Sequence, residues 1–78
     1  MKKALYQVKT ETGNTYFWQF IEHHNENDYG NGNYISIVVS DELLSYVDMR
    51  YQKYTFETFC EKYIKDYFGE NLWKYKLL

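Results

Sequence analysis

The sequence predicts an α+β fold, an antiparallel three- or four-stranded meander with one C-terminal amphipathic helix packed on a face. Three observations carry that expectation. Aromatic and β-branched runs with period-two alternation fill the first half of the chain. Glycine and asparagine punctuate those runs. A stripe of seven apolar residues at helical spacing then occupies residues 55–69.

Residues 5–10 read as the first strand, stopped by Thr12, Gly13 and Asn14. The second strand, residues 16–22, puts rings at 16, 18 and 20 on one face and turns Phe17 and Ile21 to the other. Both of its faces are apolar, so it belongs in the centre of the sheet. A polar loop spans 24–33, and Asn31-Gly32 marks a turn directly before the third strand, residues 34–39, which is β-branched at 35, 37, 38 and 39.

Residues 40–54 are ambiguous. Ser40, Asp41 and Glu42 resemble a capped helix start, whereas Val47, Met49 and Tyr51 alternate with Asp48, Arg50 and Gln52. A turn, helical or not, followed by a fourth strand over about 46–53 is the favoured expectation. The helix follows, with apolar residues at 56, 59, 60, 63, 64, 67 and 68, Thr55 as N-cap and Gly69 just past its end. Glu61 stands four residues before Lys65 on its outer face. Trp73, Tyr75 and Leu77 alternate in a tail suited to an edge strand or a cover for the core.

Seventy-eight residues suffice for one small domain, 1–78. A hydrophobic fraction of 45% excludes a disordered chain, and apolar runs no longer than three residues exclude a spanning helix. One cysteine cannot form an internal disulfide, and no apolar stretch follows Lys2 and Lys3 to make a signal peptide, so a cytoplasmic setting is expected. Tyrosine, lysine and asparagine, with their AT-rich codons, suit a low-GC bacterium, its phages or its plasmids.

Enzyme chemistry finds little here. No phosphate-binding glycine loop or HExxH motif occurs. His23, His24, Glu26 and Asp28 are the only gathering of metal-ligand types, and adjacent histidines diverge on a strand, so no metal or other cofactor is expected. Cys60 lies on the apolar stripe as a small hydrophobe, so no catalytic residue is assigned.

Charge is the strongest pointer. The formal net charge of −2 divides by position: residues 1–10 hold three lysines and no acid, residues 11–49 hold seven acids and no lysine or arginine, and residues 50–78 hold six bases and four acids. The middle block suggests a surface for a protein with a basic face, because opposite charge steers encounter and like charge rejects wrong partners. The candidate protein-binding residues are Glu22, Glu26, Asp28, Asp41, Glu42 and Asp48 for the charge, with Tyr29, Tyr46 and Tyr51 as aromatic anchors. The bland account is that these acids solvate loops beside lysines on a paired strand.

The leading expectation is a small, non-enzymatic protein-binding module, an inhibitor or accessory protein of a phage or mobile element. Two alternatives stand. Residues 46–54 interleave Tyr46, Arg50, Tyr51, Lys53 and Tyr54, a format suited to single-stranded nucleic acid, although the chain is acidic overall. An oligomer with aromatic walls would instead capture a nucleotide-like ligand. Strands apolar on both faces make homo-oligomerisation an open question.

Overall fold

The computed structural model describes residues 2–25, 32–49 and 53–78. In chain order the elements are β1 (Lys3–Thr10), β2 (Thr15–Asn25), β3 (Gly32–Val39), β4 (Glu42–Asp48), helix α1 (Phe56–Phe68), a 3-10 turn at Gly69–Asn71, and β5 (Leu72–Leu77). They form one antiparallel sheet in the order β4-β3-β2-β1-β5, with α1 on one face. The fold is the expected α+β meander, with five strands instead of three or four. The fifth is the tail, which crosses back along α1 and pairs with β1 at the sheet's edge.

Cross-strand register shows why β2 is central. Tyr6 lies opposite Trp18 and Ala4 opposite Phe20, while Trp18 faces Val39 and Phe20 faces Ile37 on the other flank. Tyr6, Val8, Trp18, Phe20, Ile35 and Ile37 thus share a buried face, closed by Phe56, Phe59, Cys60 and Ile64 of α1. The rings meet mostly edge-on or tilted: Phe20 lies 6.5 Å from Phe59 at 89°, and Trp18 lies 5.5 Å from Phe68 at 65°.

The helix begins at the expected residue, where the Thr55 hydroxyl oxygen accepts a hydrogen bond from the Thr58 amide. It ends at Gly69, whose φ of 55° lies in a region open to glycine at little cost. The helix ion pair joins Lys62 to Asp66, whereas Glu61 accepts a 3.1 Å hydrogen bond from the Tyr75 hydroxyl and so ties α1 to β5.

The expectation for residues 40–54 needs correction. No helix starts at Ser40. Val39 pairs with Glu42, so Ser40 and Asp41 form a two-residue hairpin turn with φ of 47° and 70°. Positive φ at both centres is the geometry that matches strand twist, and short polar side chains tolerate it. The fourth strand therefore begins at Glu42 and ends at Asp48; Arg50, Tyr51 and Gln52 lie outside the described residues. The pairing also shifts between Ile37 and Val38, leaving Leu44 unpaired, and this bulge obscures the strand's alternation in the sequence. The 24–33 loop is likewise shorter at both ends, since Asn25 pairs with Gly32.

Candidate functional site

Two features of this architecture are available for recognition: the sheet face opposite α1, and the β4 edge with its turn. Because side chains alternate along a strand, the face away from the helix carries Leu5, Gln7 and Lys9 of β1 and Phe17, Gln19, Ile21 and His23 of β2. Register extends it to Tyr34, Ser36 and Val38 of β3, to Tyr46 and Asp48 of β4, and to Lys74 and Lys76 of β5. Its centre is apolar and open, with Leu5 39% and Phe17 43% exposed.

Toward β4 this face becomes aromatic. His23 stacks on its cross-strand partner Tyr34 at 4.7 Å and 14°, and Tyr46 meets Tyr34 edge-on at 5.8 Å. A 2.8 Å hydrogen bond joins His23 Nε2 to the Ser36 hydroxyl, which is buried beneath these rings. Tyr46 ends the cluster, 62% exposed.

The acidic block does not gather as one surface. Glu11 sits in the β1–β2 turn at the β5 side, its amide donating to the Asn71 carbonyl. Glu22 lies on the helix side of β2, opposite Ile35, and Glu26, Asp28 and Tyr29 lie outside the described residues, as does Tyr51. Asp41, Glu42, Tyr46 and Asp48 all lie on β4 and its turn and are exposed, but Tyr46 and Asp48 face the open side of the sheet whereas Glu42, opposite Val39, faces the helix side.

Sheet order separates these acids from the strand-borne bases. Lys9 and Lys74 are direct cross-strand neighbours, and Lys76 lies two residues along β5. Lysines directly opposite each other repel. Among the described residues no carboxylate pairs with Lys9, Lys74 or Lys76, and none of the bases pairs with Asp41 or Glu42. The sheet is thus basic at its β5 edge, apolar along β2 and acidic at its β4 edge.

The sequence reading missed the outward-facing Leu5, Phe17 and Ile21 as a surface, and also the lysine cluster. Alternation of Leu5, Gln7 and Lys9 carried part of the signal. The adjacency of Lys9 and Lys74 did not, because it depends on a pairing between opposite ends of the chain.

Beside the β3–β4 turn, on the helix side, an open cleft of about 380 Å³ is lined by Tyr16, Val39, Glu42, Leu43, Leu44 and Tyr67. Leu43 and Leu44 are exposed there, a pair of apolar side chains on a sheet edge. Elsewhere, burial pushes the Cys60 thiol up from 9.0 to about 12, with the Glu57 charge adding to the shift, so the thiolate is suppressed. Among the described residues no group of three histidine, cysteine, aspartate or glutamate side chains converges on a metal position, and no helix is long and apolar enough to cross a membrane. Compared with protein-family models, curated proteins and solved structures, the chain gives no significant match.

Proposed function

We propose that the protein is a small, non-enzymatic binding module that docks a basic protein surface through the acidic, tyrosine-bearing β4 side of its sheet. One observation carries the reading: Glu42 and Asp48 share an exposed edge strand with Tyr46, and Asp41 stands in the turn that opens it, while the strand-borne lysines lie across the sheet. Charge steers the partner to this side, and the Tyr46 ring with Leu43 and Leu44 supplies apolar area for contact. The activity fits an inhibitor or accessory protein working in the cytoplasm of a low-GC bacterium or its phage, where charge at one edge selects a basic target.

The test is titration of lysine- and arginine-rich peptides against the wild-type chain and against Asp41→Asn/Glu42→Gln and Tyr46→Ala. Affinity is expected to fall at least tenfold in the charge variant, and to fall steeply between about 50 mM and about 500 mM salt. Affinity that ignores both changes overturns the electrostatic reading.

A further inference from the structure

Two adjoining cavities open where β5 runs beside β1. The smaller, about 110 Å³, is walled by Gln7, Lys9, Lys74, Tyr75 and Lys76. The larger, about 180 Å³, lies between Trp73 and the β1–β2 turn, against Asn14 and Thr15, and Lys9 borders both. We infer that this corner of the open face binds single-stranded nucleic acid, with a backbone phosphate in the lysine cavity and a base against Trp73. The site is independent of the docking reading, which uses the opposite edge of the sheet.

Charge divides between the two layers of the fold. Register turns Lys3, Lys9, Lys74 and Lys76 to the open face. Among the described residues Asp48 is the one acid that register sets there, on the far edge strand. Glu22 and Glu42 face the helix side, and Glu57, Glu61 and Asp66 belong to α1 itself. A chain of net charge −2 thus presents a basic half-face, and a phosphate responds to that local field. Among the described residues no carboxylate pairs with Lys9 or Lys76. The Lys74 ammonium lies over the Trp73 ring, 4.4 Å from its centroid, a contact that leaves its charge intact.

The rings supply the second half of the recognition. Trp73 is 58% exposed even with Lys74 over it, and Phe17, opposite Gln7, is also open. The strands that carry them flank β1 and lie about 10 Å apart, two strand spacings, with Gln7 and Lys9 between. Bases one or two positions apart on an extended strand can take both rings while the intervening phosphates meet the lysines. Stacking accepts any base and lysine reads only phosphate, so strand is recognised without sequence. A duplex does not fit, because its bases stack on each other and offer no free ring face. An acidic peptide would satisfy the lysines but brings no planar group to Trp73 and Phe17. A bound phosphate also offsets the Lys9–Lys74 repulsion, which the free chain leaves uncompensated.

Fluorescence anisotropy of labelled single-stranded oligothymidylate and oligouridylate, titrated with the full chain, tests the inference. Trp18 is fully buried, so quenching of tryptophan emission in the same titration reports Trp73. Binding is expected at micromolar protein in about 50 mM salt, and the tighter of the two oligomers identifies the strand as DNA or RNA. Lys74→Gln/Lys76→Gln should weaken it at least tenfold and shrink the slope of log K against log salt by about 1.4, at about 0.7 per phosphate contact. The same variant removes the Lys9–Lys74 repulsion and should fold at least as stably, which circular dichroism checks. Trp73→Leu should weaken binding roughly fivefold or more with its salt slope unchanged, and Trp73→Phe should recover most of the loss.

Asp41→Asn/Glu42→Gln, on the other edge, should leave oligonucleotide affinity within about twofold, so this site and the docking edge stand or fall separately. Absence of any anisotropy change at about 100 µM protein overturns the inference. So does binding indifferent to Lys74→Gln/Lys76→Gln or to Trp73→Leu, and so does polyglutamate that competes as well as the oligonucleotides and quenches tryptophan equally.

Discussion

Cys60 shows how a single side chain's place in the core decides its chemistry. It is fully buried beneath Phe56 and Ile64 on the helix stripe, and its pKa rises to about 12, mainly through burial. Tyr6 opposite it is also pushed up to about 12, again by burial first and then by the nearby Cys60 and Glu61. Both groups are neutral when protonated, so a folded pKa above the unfolded value means that folding favours the protonated form. The stability this contributes is whole below about 9, the unfolded thiol value, and disappears as pH climbs through about 12. Denaturant midpoints should therefore hold level from neutral pH to about 9 and fall above it, and Tyr6→Phe should flatten part of that fall. A midpoint that holds level to pH 12 contradicts this. A thiol reagent at neutral pH should react with Cys60 only in denaturant. This much was legible in the sequence, because the apolar spacing of residues 56–68 already set Cys60 inward.

At the scale of elements, legibility followed the regularity of each pattern. The 3.6-residue stripe, Thr55 and Gly69 defined α1 almost to the residue, and the rings at 16, 18 and 20 defined the inner face of β2. The fourth strand was misread for two physical reasons. Ser-Asp is a weaker turn signal than Asn-Gly and doubles as a helix cap, and the bulge at Leu44 breaks period two where the strand begins. The φ values of 47° and 70° make a specific prediction. Replacing Ser40-Asp41 by Asn-Gly, the dipeptide best suited to both centres, should stabilise the protein by about 0.5–1 kcal/mol, whereas Asp41→Val should destabilise it by about 1–2 kcal/mol. Chemical denaturation of the two variants measures both. Equal effects would mean that the turn backbone does not govern the hairpin.

At the scale of the whole molecule, the separation of charge across the sheet arises from one long-range pairing. Three hairpin connections join β1 to β4 as neighbours in sequence, but β5 returns some seventy residues later to lie beside β1. Without that return, Lys74 and Lys76 would not stand beside Lys9, and the separation of charge across the sheet would vanish. Composition blocks show acids and bases in different stretches; only strand order converts them into opposite edges, so Asp41, Glu42, Tyr46 and Asp48 were legible as candidates while the separation of charge across the sheet was not. The same pairing closes the core. Tyr75 packs its ring 6.1 Å from Tyr6 and bonds Glu61 of α1, while Leu72 covers the end of β1 beside buried Thr10. Ending the chain at Asn71 strips the β1 edge of its ladder partner and bares Tyr6 and Val8 together. The truncated protein should lose cooperative unfolding in circular dichroism and lose amide protection across β1 first. Tyr75→Phe, which removes only the bond to Glu61, should cost no more than about 1 kcal/mol. A truncated chain that melts cooperatively near the wild-type midpoint would show β5 to be an accessory edge, and the core to be complete within four strands and a helix.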